Sequence, residues 1–72
     1  MTSVPTGIQR GRVKWFDSKK AYGFIVADNV DYFVHDRNVV GDFEIAADDN
    51  VEFTATTGRR GPRATNVRIV SK

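Results

Sequence analysis

From residue 10 onward, apolar side chains recur at alternate positions in short runs, and clusters of Asp, Asn, Ser, Gly or Lys separate the runs. A period of two is the mark of strands with one buried face. Residues 10–16 predict a first strand, followed by a turn at Asp17-Ser18-Lys19-Lys20. Residues 22–27 predict a second, and Asp28-Asn29 supplies the chemistry of a tight hairpin. Residues 31–35 form a third, rich in aromatic and β-branched side chains. Residues 50–57, with Val51 and Phe53 on one face, form a fourth, and residues 64–70, with Val67 and Ile69 on one face, a fifth. Gly58-Arg59-Arg60-Gly61-Pro62 reads as a flexible basic loop. The middle segment, residues 36–49, carries the weakest pattern: Phe43, Ala46 and Ala47 have the spacing of a single helical turn. Residues 1–8 are broken by Pro5 and Gly7 and predict a loose arm, leaving 9–72 as the domain. Five short strands with no long helix predict a small all-β barrel or sandwich, and at this length a closed barrel is favoured because it leaves fewer open sheet edges.

The facing of individual residues carries the functional expectation. On the second strand Tyr22 and Phe24 share one face and Gly23 and Ile25 the other. On the third, Phe33 and His35 share a face, with Tyr32 and Val34 opposite. Paired as a hairpin, these strands place Tyr22, Phe24, Phe33 and His35 on one continuous surface. Ile25 and Val34 then join Val13, Val51, Val67 and Ile69 as an aliphatic interior. A small barrel covers only one side of such a hairpin. A contiguous aromatic patch left in water marks a binding surface; the competing reading packs some rings beneath the middle segment, with Phe43 helping to cover them. Lys14, Lys19 and Lys20 lie within the same stretch, VKWFDSKKAYGFI. Rings beside cations suit single-stranded nucleic acid, whose bases stack on aromatic faces while its phosphates meet the cations. A duplex hides those base faces.

Composition narrows the alternatives. A chain of 72 residues with 40% hydrophobic and 28% charged side chains is one globular domain. Its longest apolar run, Phe24-Ile25-Val26-Ala27, is far too short for a membrane span or a leader's apolar region, so a cytoplasmic protein is expected. The net charge of +2 conceals strong segregation: residues 1–25 carry +4, residues 26–53 carry −7 and residues 54–72 carry +5. That distribution predicts a basic side and an acidic side. With a single histidine, His35, and no cysteine, neither a catalytic triad nor a zinc signature is visible. Asp48 and Asp49 are adjacent and point apart in an extended segment, which leaves them as solvated loop charges. The expectation is a non-enzymatic protein without cofactor or metal.

The motifs carry a resemblance. Gly11-Arg12-Val13-Lys14-Trp15-Phe16, Lys20-Ala21-Tyr22-Gly23-Phe24-Ile25, Tyr32-Phe33-Val34-His35 and Gly58…Gly61-Pro62…Ala64…Asn66-Val67 stand in an order and spacing that resembles the cold-shock domain proteins over residues 9–72. The resemblance implies a five-stranded antiparallel barrel of the oligonucleotide-binding (OB) fold. It also implies a monomer that binds single-stranded RNA or DNA as a chaperone of RNA structure or a regulator of transcription or translation. By position, Lys14, Trp15, Phe16, Lys20, Tyr22, Phe24, Phe33, His35, Phe43 and Arg63 would contact the nucleic acid, with Arg59 and Arg60 as weaker candidates. Strict alternation sets Trp15 opposite Lys14 and Phe16, so a twist or bulge in the first strand is needed to bring all three to the ligand. The sequence departs from the family pattern at Ala21, where glycine is usual, at Tyr22 for phenylalanine, and at Tyr32 for a small aliphatic residue. The sharpest departure is Asp36, a carboxylate where another stacking ring is usual. It predicts weaker binding than in relatives, a capping role over residues 37–39, or both. A barrel turned to protein interaction, working through its acidic middle, is the alternative function.

Overall fold

The computed structural model describes residues 7–41, 45–59 and 61–71. Strands β1 (Gly7–Asp17), β2 (Tyr22–Ala27), β3 (Val30–His35), β4 (Asn50–Gly58) and β5 (Gly61–Ser71) close into a barrel in the order β1-β2-β3-β5-β4. A 3₁₀ turn, Asp36–Asn38, follows β3. The expected all-β closed barrel is present. Its pairings are antiparallel except one: β3 and β5 run parallel, with Phe33 beside Arg63. The reason is parity. A ring of five strands cannot alternate direction all the way round, so one neighbouring pair must run the same way. The expectation of an antiparallel barrel is corrected at that seam alone.

The interior is the one that the alternation predicts. Val13, Ile25, Val34, Val51 and Val67 are buried, and Ile69 packs half-buried against them. Phe53, Ala55, Ala64, Ala27 and Ile45 complete the core. Tyr32 is also inside, its ring centroid 5.0 Å from that of Phe53. Its hydroxyl is buried without a hydrogen-bond partner among the described residues.

Element boundaries shift outward from the sequence reading. β1 starts at Gly7, so Gly7 and Ile8, expected in the arm, pair with Ala55 and Thr54; residues 1–6 of the arm lie outside the described residues. The basic loop is shorter than expected, because Thr57 pairs with Pro62 and Gly58 with Gly61. Asp28 and Asn29, with φ of 50° and 65°, form the two-residue β2–β3 hairpin, the left-handed pair required by a type I′ turn. In the middle segment the helical turn forms at Asp36–Asn38, while Ala46 and Ala47 belong to a tight turn. There the Ala46 N–H donates to Asp49 Oδ2 at 2.9 Å. Val13 ties this turn to β1, donating to Asp49 O and accepting from the Asp48 N–H, both at 2.9 Å. Asp49 is therefore a local turn cap rather than only a solvated charge.

Candidate nucleic-acid interface

The register of β2 against β3 sets Tyr22 opposite His35 and Phe24 opposite Phe33, so their outward side chains share one surface. Tyr22 and Phe33 stack with centroids 5.7 Å apart, and Phe24 meets Phe33 edge-on at 5.8 Å. Trp15 closes the group from β1, 5.4 Å from both Tyr22 and Phe24. All these separations fall in the range of favourable ring pairs. Among the described residues nothing caps the cluster from above: Trp15 remains 39% exposed, and the other three rings are half-buried.

A bulge in β1 explains how Trp15 arrives there. Val13 pairs with Ile25, and the next pair is Trp15 with Phe24, so β1 spends two residues where β2 spends one. Lys14 is the extra residue. The inserted step reverses the parity of the strand, and Trp15, which strict alternation would bury, comes out beside Phe24. The same reversal turns Phe16 the other way. Phe16 pairs with Gly23 and packs half-buried against the core. Of the three first-strand residues expected at the ligand, Lys14 and Trp15 are on the surface and Phe16 is not part of the ring cluster. Gly23 makes the arrangement possible. A Cβ on it would stand 2.2 Å from Trp15 O and 2.7 Å from Phe16 Cα.

The turn from β1 to β2 sets the lysine edge. Asp17 Oδ1 accepts from the N–H groups of Lys19 and Lys20 at 2.9 and 3.2 Å, and the Ala21 N–H donates to Asp17 O at 2.7 Å. Lys20 reaches an open concavity floored by Tyr22, Phe24 and Phe33 and edged by His35, Asp31 and Pro62. A second groove shares Phe33 and Pro62 and runs on past Arg63 and Arg59 to Gly58 and Gly61. Arg63 is exposed, and the register sets it beside Phe33. Phe43 and Arg60 lie outside the described residues.

His35 has two duties. Its Nδ1 accepts from the Arg37 N–H at 3.2 Å and caps the 3₁₀ turn, which leaves Nε2 as the nitrogen available to a ligand. The capping role expected of Asp36 therefore belongs to His35. Asp36 is the first residue of the turn. Its N–H donates to Ala21 O at 2.9 Å and its carbonyl accepts from the Val39 N–H at 3.0 Å. Its side chain is exposed and has no partner among the described residues.

Sequence reasoning missed Asp31 and Pro62. Asp31 shares the outward parity of Phe33, which was the available signal, and its Oδ2 pairs with Lys14 Nζ at 3.1 Å. Both groups are about half exposed, so the pair contributes little to stability, about 0–1 kcal/mol. It does lessen the positive charge that Lys14 offers. The expected separation of a basic from an acidic side thus fails locally, because Asp31 lies on the same surface as Lys14, Lys20 and Arg63. Among the described residues no group of three or more His, Asp or Glu is placed to hold a metal ion, and no helix is long and apolar enough to cross a membrane.

Comparison with known proteins supplies the remaining observation. The family described as 'Cold-shock' DNA-binding domain matches residues 9–70. A cold shock-like protein of Thermotoga maritima is 45% identical over 64 residues, covering 85% of this chain and 97% of its own. The cold shock protein CspB of Geobacillus stearothermophilus is 43% identical over 63 residues, covering 83% and 96%. The cold shock-like protein CspA of Vibrio cholerae is 43% identical over 61 residues, covering 79% and 87%.

Proposed function

The chain belongs to the cold-shock domain family, and from that premise we propose that it binds single-stranded RNA or DNA by stacking unpaired bases on the outward face of β1, β2 and β3. The observation that carries this reading is the ring cluster of Trp15, Tyr22, Phe24 and Phe33, assembled by a bulge and left open to water. A fold that needed these rings only for stability would cover them. Each stacked base contributes about 1–3 kcal/mol on such a platform, with little regard to its identity. Lys20 and Arg63 flank the rings where a backbone would pass, and His35 Nε2 offers one directional contact.

The action that follows needs no catalysis and no nucleotide hydrolysis. Holding bases unpaired draws a hairpin toward its open form by mass action, in proportion to free protein over Kd. A passive chaperone of RNA structure, or a regulator acting through such structure, is the corresponding role. Its use in cold adaptation follows from the family, since low temperature stabilises RNA hairpins.

Trp15 reports on the reaction directly. Titration with a short pyrimidine oligonucleotide should quench its fluorescence, the matching duplex should do so far less, and added salt should weaken the effect. Absence of any response to the single strand at low salt would overturn the reading.

A further inference from the structure

We propose that the outward row of β1 carries the bound strand beyond the ring cluster, with Arg12 and then Arg10 each holding one further backbone phosphate. This rests on the single-strand reading above and extends its footprint. From Arg10 to Val13 the strand alternates without interruption. Gly11 pairs with Val51 and Val13 with Ile25, both partners buried, while Arg10 pairs with Glu52 and Arg12 with Asn50 and Val26. The two arginines therefore point outward, and both are exposed. Tyr22, Phe24 and Val26 share one parity on β2, as Asp31, Phe33 and His35 do on β3. The register sorts the outer surface into successive rows: Tyr22 with His35, then Trp15 with Phe24 and Phe33, then Arg12 with Val26 and Asp31. Arg12 thus stands in the row directly after the rings. Arg10 follows two residues farther along β1, roughly 6.6 Å away at the usual rise of a strand.

Two grooves meet at that boundary. The one over the rings includes Asp31, and the next, lined by Arg10, Arg12, Val26 and Asn29, includes the residue paired with it. Among the described residues no aromatic ring lines the second groove, so it offers no ring for base stacking. Its guanidiniums suit phosphate, whose oxygens their forked donors can hold in pairs. Two carboxylates border the arginines. Asp28 lines the same groove at the hairpin turn. Glu52 approaches Arg10 at 3.5 Å, with the Arg10 side chain 74% exposed, and so open an ion pair yields readily to a competing anion. A strand stacked on Trp15 therefore finds cations at Lys14, Arg12 and Arg10 in succession along one element.

The test uses the intact chain and end-labelled oligothymidylates of about four and about ten nucleotides, both within the range of one OB fold. The shorter strand covers the rings, and the longer one also reaches the arginines. By anisotropy at about 0.1 M salt, Arg12→Gln and Arg10→Gln should each weaken the longer strand about fivefold and reduce its salt slope by about 0.7, the share of one phosphate on a single strand. The shorter strand should bind both variants as it binds the wild type. Arg68→Gln removes an equal charge from exposed β5, two strands from β1 and opposite Glu52, and should change neither. Thermal melts establish that the variants are folded. Wild-type affinity of the longer strand for either β1 variant would overturn the inference. So would an equal loss in Arg68→Gln, the mark of a general field, or an equal loss on both lengths, which would put the arginines within the ring site. Failure of the wild-type chain to bind either strand is a separate result: it would remove the single-strand reading itself and this inference with it.

Discussion

At Ala21 the backbone turns to φ = +63°, a left-handed conformation that costs a residue with a Cβ about 1–2 kcal/mol. The Asp17 turn below and the Asp36 N–H above hold it there. Ala21→Gly should therefore stabilise the chain by a net ~0.5–1 kcal/mol after the larger backbone entropy of glycine is counted, read as a raised Tm. Tyr32 carries the opposite kind of cost. Its hydroxyl is buried with no partner among the described residues, so Tyr32→Phe should be neutral or stabilise by up to ~1–3 kcal/mol, the usual penalty of an unsatisfied buried group. Gly23 allows no such latitude. Its added methyl would run into backbone atoms of Trp15 and Phe16, and Gly23→Ala should cost about 3 kcal/mol, the upper end for overpacking, measured by chemical denaturation.

At the scale of the element, β1 decides which first-strand ring joins the exposed cluster. The parity rule reads β2 and β3 correctly from sequence, and with them Tyr22, Phe24, Phe33 and the interior valines, because both strands alternate without interruption. It fails in β1, where the bulge at Lys14 reverses it. Nothing in the string VKWF marks the extra step; the register that creates it depends on β2 across the barrel. His35 as the turn's cap was equally hidden, since a histidine ring standing in for the usual Asp or Ser is a matter of geometry rather than residue type. The bulge makes a sharp prediction for two phenylalanines of identical chemistry. Phe24→Ala should weaken single-strand binding by about 1–3 kcal/mol per stacked base, roughly 5- to 150-fold, with a smaller effect on unfolding. Phe16→Ala should do the reverse, because its ring packs against the core. Equal effects of both changes on binding would refute the parity reversal.

For the whole molecule, charge placement sets how binding responds to salt. The blocks seen along the chain predict a basic and an acidic side, yet folding brings Asp31 onto the surface that holds Lys14, Lys20 and Arg63. The outward parity of Asp31 was legible in the sequence; its pairing with Lys14 was not, because that depends on how the strands are ordered around the barrel. Log affinity should fall with log[salt] by about 0.7 per phosphate neutralised on a single strand. Asp31→Asn, which releases Lys14 from its 3.1 Å pair, should tighten binding at low salt and steepen that slope by up to about 0.7. An unchanged slope would show that Lys14 meets no phosphate.

The parallel seam has a consequence for the order in which the molecule can be made. β5 is the strand that borders both β3 and β4, and it is the last to be synthesised. Until Gly61–Ser71 emerges, β1 to β4 form at best an open sheet with β3 at one edge and β4 at the other, each presenting unpaired backbone groups. The barrel thus cannot close in a nascent chain ahead of β5. The docking of β5 both seals the barrel and brings Arg63 alongside Phe33, so the enclosed fold and that side of the ring cluster require the same strand.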